Sequence, residues 1–134
     1  MKNTLLTAAL CLVMAFLAGC GSTAEKAVVV TSAESGKEIE LNVGQECRIE
    51  LSANSTTGYA WSVAAAADKV LQESAKSEYV SDPNPDHKVG VGGMQVWHFK
   101  AVQAGTQTMK LEYRRPWEKD IKPAQTAQFA FVVK

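Results

Sequence analysis

Beyond residue 26 the chain alternates hydrophobic and polar positions with a period of two almost everywhere. Ala27 to Thr31 is short and β-branched, and Glu38-Ile39-Glu40-Leu41-Asn42-Val43 alternates cleanly before Gly44-Gln45 turns the chain. Cys47-Arg48-Ile49-Glu50-Leu51 alternates again, and Tyr59, Trp61 and Val63 share one face. Trp97, Phe99 and Ala101, then Met109, Leu111 and Tyr113, then Phe129, Phe131 and Val133 repeat the pattern. This is the signature of half-buried strands. Ala64 to Leu71 is the one helix-prone stretch; without capping residues and with so few turns, it predicts an irregular excursion or a single helical turn. Seven or so short strands punctuated by turn signals predict an all-β sandwich over residues 27–134. Asp82-Pro83-Asn84-Pro85-Asp86 reads as a loop, because proline cannot donate to a central ladder and restricts the residue before it.

The N-terminus breaks the pattern. Lys2 supplies a positive start, Leu5 through Phe16 form an apolar run too short for a mature spanning helix, and small residues follow. That is the layout of a secretory signal over residues 1–19. The closing Leu17-Ala18-Gly19-Cys20 resembles the lipobox of bacterial lipoproteins, in which the cysteine is acylated and becomes the first mature residue. Residues 20–26 then serve as a lipidated, small and polar tether. The membrane is engaged through this lipid alone, and Gly21 after Cys20 resembles the signal for outer-membrane retention.

Processing would leave about 115 residues, enough for one domain that buries about two-thirds of its unfolded surface. The full chain balances 14 basic against 14 acidic residues, and loss of Lys2 leaves the mature form close to neutral. That balance gives no electrostatic footprint for nucleic acid. Of the three cysteines, Cys11 leaves with the signal and Cys20 carries the lipid. Cys47 is then without an intramolecular partner, and its alternation with Ile49 and Leu51 places it as a small core residue rather than a catalytic thiol.

In a sandwich, alternate connections lie at the same end, so the loops after the second, fourth and sixth core strands cluster. Those loops carry the unusual residues. Asn54-Ser55-Thr56-Thr57-Gly58-Tyr59 offers two hydroxyls on stiff stems beside a glycine that permits a positive φ. By itself it would pass for a polar hairpin turn. Gly90-Val91-Gly92-Gly93 could follow a partner backbone; a phosphate cradle fits poorly, since a strand rather than a helix comes next. Arg114-Arg115-Pro116-Trp117 sets a tryptophan beside a φ-locked proline where the strand periodicity has ended. This composition suits an exposed interface anchor better than a core residue.

Together, in this order and spacing, the three segments resemble the signature of the chagasin-type inhibitors of cysteine peptidases: Asn-Pro-Thr-Thr-Gly-Tyr/Phe, then Gly-x-Gly-Gly, then Arg-Pro-Trp/Phe. The resemblance runs from about Leu41 to Lys134. It implies an immunoglobulin-like β-sandwich of about seven to eight antiparallel strands that reversibly inhibits papain-family peptidases as a monomer, without cofactor or metal. It also implies a peptidase-binding surface made of Asn54, Thr56, Thr57, Gly58, Tyr59, Gly90, Gly92, Gly93, Arg115, Pro116 and Trp117. On that reading Thr56, Thr57 and Gly58 enter the catalytic centre, Gly92 and Gly93 run along one wall, and Arg115 and Trp117 pack on the other. Ser55 departs from the family's proline, which would pre-order the loop.

An enzymatic reading finds little support. His87 lies in the proline-rich loop and His98 sits on the strand face opposite Trp97 and Phe99; neither has the companions of a nucleophilic triad or a metal site. The stronger rival is a non-inhibitory immunoglobulin-like binding module of the cell envelope, since sandwiches host many functions.

Overall fold

The computed structural model describes residues 25–66 and 70–134. The signal sequence and the Cys20 lipidation site lie outside that range. Eight strands form two four-stranded sheets: β1 (Val28–Val30), β2 (Glu38–Leu41), β3 (Glu46–Ala53), β4 (Ala60–Ala65), β5 (Leu71–Ser81), β6 (Gly93–Ala101), β7 (Gly105–Arg114) and β8 (Gln125–Val133). One sheet runs β1-β3-β6-β5 and the other β2-β8-β7-β4.

The alternation read from the sequence is the alternation of the core. Cys47, Ile49 and Leu51 from β3 and Trp97, Phe99 and Ala101 from β6 face Met109 and Leu111 from β7 and Phe129, Phe131 and Val133 from β8, all buried. Burial pushes the Cys47 thiol up to about 12, so it stays protonated and unreactive. Gln107 is the buried polar exception: its Oε1 accepts from the backbone N–H groups of Val70 and Leu71, both at 3.1 Å, and ties the start of β5 to the opposite sheet.

Three features depart from the sequence expectation. The sandwich is mixed rather than wholly antiparallel, because β1 pairs in parallel with β3 and β2 in parallel with β8. The short link from β1 to β2 carries the chain from one sheet to the other through a single 3₁₀ turn, Ser32–Glu34. Thr31 and Glu34 close that turn as a reciprocal cap. The second departure is β5, an eleven-residue strand where the periodicity gave none. It is an edge strand with one buried residue, Leu71, and its pairing with β6 slips between Glu73 and Ala75 and again between Ala75 and Glu78. The third lies in Ala64 to Leu71, expected as an irregular excursion or a single helical turn: Ala64 and Ala65 continue β4 and Leu71 opens β5, while residues 67–69 lie outside the described range.

Candidate functional site

The ends of the strands fix where the connections go. Gly93 at the start of β6 faces both Ala53 at the end of β3 and Ser81 at the end of β5. In the other sheet, Ala60 at the start of β4 faces Arg114 at the end of β7. Residues 54–59, 82–92 and 115–124 therefore emerge at the same end. They follow β3, β5 and β7, the second, fourth and sixth strands once the three-residue β1 is set aside.

The first loop folds on itself. Ser55–Thr57 is a single 3₁₀ turn. Asn54 precedes it in extended conformation and caps it, its Oδ1 accepting from the Thr56 N–H at 3.1 Å and from the Thr56 hydroxyl at 2.6 Å. The Thr57 hydroxyl donates to the Asn54 carbonyl at 2.7 Å. Gly58 ends the turn in the left-handed region, at φ 77°, with its N–H donating to the Ser55 carbonyl at 3.3 Å. Asn54 also binds its surroundings: its Nδ2 donates to the Gly90 carbonyl in the second loop at 3.0 Å, and its backbone N–H donates to the Tyr113 hydroxyl at 3.0 Å. One side chain thus shapes the first loop and fastens it to the second.

The third loop is fastened to the first as well. Arg115 Nε donates to the Thr57 carbonyl at 3.2 Å, its guanidinium lies 4.6 Å over the Tyr59 ring, and its terminal nitrogen pairs with Glu118 at 3.2 Å. Pro116 and Trp117 are exposed, Trp117 to 68%. The Trp117 indole lies against Gly58, where an added Cβ would sit 2.6 Å from its ring. Beneath the loops an aromatic column runs inward: Tyr59 stacks on Tyr113 at 5.3 Å, and Tyr113 packs on buried Trp61 at 5.1 Å. Gln95 anchors that column by bonding both the N–H and the carbonyl of Trp61, at 2.9 and 2.8 Å.

All eleven residues expected at the site fall at this end of the sandwich, but not all in one role. Thr56 and Thr57 are exposed at the tip of the first loop, and Gly90 is exposed beside it. Gly92 is half-buried and Gly93 buried. Arg115, expected to pack beside Trp117 on one side of the cleft, is half-buried here and bonds to the first loop. Tyr113, Gln95 and Glu118 support the loops without any motif marking them. The signal for Tyr113 was its place at the end of a core-facing strand, where a hydroxyl can surface at the loop base. His98, weighed as a base, lies 3.3 Å from Glu78 on the outer sheet face. Among the described residues no cluster of three or more His, Cys, Asp or Glu could hold a metal.

Residues 40–133 match the family described as chagasin family peptidase inhibitor I42. Amoebiasin-2 of Entamoeba histolytica is 30% identical over 117 residues, covering 86% of this chain and 92% of its own length. Chagasin of Trypanosoma cruzi is 35% identical over 89 residues, covering 66% of this chain and 81% of its own. In structure, the cysteine protease inhibitor EhICP2 from Entamoeba histolytica superposes with a TM-score of 0.73 at 27% identity, covering 81% of this chain and 96% of its own. On the strength of both sequence and fold, the chain belongs to the chagasin family of peptidase inhibitors.

Proposed function

We propose that this protein is a reversible inhibitor of papain-like cysteine peptidases whose three loops together occlude the active-site cleft. The observation that carries the proposal is the convergence of Asn54–Tyr59, Gly90–Gly93 and Arg115–Trp117 at one end of the sandwich, cross-tied by Asn54 and Arg115. Such a wedge needs no chemistry of its own: a thiolate–imidazolium pair in an open cleft is disabled once substrate is excluded. A three-loop contact can bury about 800 Å² on each partner. Loops already bonded to one another lose little entropy on docking, which favours tight binding. The role is stoichiometric occlusion and not catalysis. Titrating papain with residues 27–134 should abolish activity at near-equimolar inhibitor. Full activity in the presence of excess protein would refute the reading.

Ser55 offers a graded test. It opens the 3₁₀ turn, a position whose N–H has no partner within the turn, and Asn54 before it is already at φ −133° and ψ 99°. Both conditions suit proline. Ser55→Pro should tighten inhibition up to about fivefold by reducing the freedom of the unbound loop. Loss of affinity on this change would mean the loop must rearrange on binding.

We further propose that the domain is exported and held at the cell envelope, in the outer membrane, by acylated Cys20. The Leu17-Ala18-Gly19-Cys20 quartet supports this. Cys20→Ser should release the protein from membranes and leave papain inhibition by the purified domain unchanged. An intact mass lacking any acyl group on the wild-type protein would end the proposal.

A further inference from the structure

The first loop enters a peptidase as a peptide that ought to be cut, yet an inhibitor must survive. We infer that Arg115 is a positioning residue that keeps the Thr57–Gly58 peptide bond from being hydrolysed by the enzyme it blocks; the inference rests on the inhibitory reading above. Hydrolysis by a cysteine peptidase has fixed geometric demands. The thiolate adds to the carbonyl carbon while the carbonyl oxygen turns into a pocket of hydrogen-bond donors. The C–N bond then breaks, the amine leaves with a proton from the imidazolium, and water releases the acyl group from sulfur as a carboxylate. The carbonyl oxygen must therefore be available to the enzyme's donors, and the chain must be free to straighten.

At Thr57–Gly58 both polar atoms of the peptide are already engaged within the inhibitor. The carbonyl oxygen accepts from Arg115 Nε at 3.2 Å, and the N–H donates to the Ser55 carbonyl at 3.3 Å. Gly58 is left-handed, at φ 77° and ψ −4°, so the bond lies in a closed turn rather than an extended substrate strand. The Trp117 ring covers Gly58. Asn54 and Ser55 also have their carbonyls engaged, but by neutral donors of the turn itself; among the described hydrogen bonds, only the Thr57 carbonyl of this loop accepts from a charged side chain. Arg115 is itself held on two further sides, by the Tyr59 ring at 4.6 Å and by Glu118 at 3.2 Å. A cation fixed from three directions gives up its carbonyl partner reluctantly, because charge-assisted hydrogen bonds are the stronger class. Its planar fork also holds a direction that an ammonium does not.

The test incubates papain with an excess of wild-type, Arg115→Ala or Arg115→Lys protein, following inhibition and intact mass over hours. Arg115→Ala should inhibit at first, more weakly, and then lose potency as fragments ending at Thr57 and beginning at Gly58 accumulate at least about tenfold faster than from wild type. Arg115→Lys should fall between the two, since it keeps the charge over Tyr59 and loses the fork. Arg115 is half-buried on the surface, so melting temperatures should remain close; a merely structural role would give scattered cuts and a lowered melting temperature. Arg115→Ala that inhibits while staying intact at this bond overturns the inference and leaves the inhibitory reading standing. Wild-type protein that fails to inhibit papain removes the inhibitory reading itself.

Discussion

Trp117→Ala is expected to weaken inhibition of papain by about 2 kcal/mol or more, some thirtyfold, while leaving the melting temperature nearly unchanged. The two halves of this result come from the same observation. Trp117 is 68% exposed in the free protein, so the core loses little when the ring is removed; exposed positions of this kind shift stability by about 0.5 kcal/mol. An exposed, rigid aromatic beside a proline is also the kind of side chain that contributes most to an interface, since it buries a large area while freezing only two torsions. The indole is not free-standing, however. It rests on Gly58, so its removal also uncovers the turn that carries the two threonines. Part of the lost affinity should therefore appear as a looser first loop. Measuring the inhibition constant and the melting temperature of this one variant separates the site from the core: a core tryptophan would lower stability by about 3 to 5 kcal/mol instead. Undiminished inhibition by a stable variant would take the third loop out of the mechanism.

The sandwich was legible wherever a strand has one wet and one dry face. β3, β7 and β8 bury alternate residues, and β6 does so from Trp97 onward, so their apolar positions fall two apart and the sequence shows them directly. β5 hid because its role is different: it lies at an edge, buries Leu71 alone, and its register slips twice, so no period survives in its residues. The parallel pairings of β1 and β2 were equally silent, since side-chain alternation is the same in either direction and only the crossing between sheets sets the sense. At the site, the motif residues were legible as a set, but their mutual bonds were not. Arg115 looked like a contact for a partner because its neighbours are exposed. Its acceptor, the Thr57 carbonyl, is a backbone atom 58 residues away that no pattern of side chains reveals. Tyr113 likewise read as the last core residue of a strand, when its hydroxyl supports the first loop at Asn54.

The two adjacent glycines where the second loop enters β6 carry the remaining large effect, and they should part company. Gly93→Ala is expected to destabilise the domain by about 2 kcal/mol or more, lowering the melting temperature by roughly 8 °C. Gly93 is buried at the start of β6, where it pairs with Ala53 on one side and Ser81 on the other. An added Cβ would press on the Val80 carbonyl oxygen and come within 2.8 Å of the Tyr79 ring. The carbonyl is backbone, so it can yield only by pushing β5 away from β6. At Gly92 the same Cβ would sit 3.4 Å from the Ala53 carbonyl and 3.6 Å from the Asp82 carboxylate, ordinary distances that the fold can accept. Gly92 is half-buried at the loop surface. Gly92→Ala should therefore melt near the wild-type temperature and report on the partner instead: if this backbone runs along the wall of the cleft, the extra methyl pushes the inhibitor away and affinity falls about tenfold or more. The motif then divides by cause, with Gly93 required by the sandwich and Gly92 by the peptidase. Equal melting temperatures for the two variants would show that β5 gives way easily and that the glycine at 93 has another reason. Full inhibition by Gly92→Ala would place the second loop away from the enzyme surface.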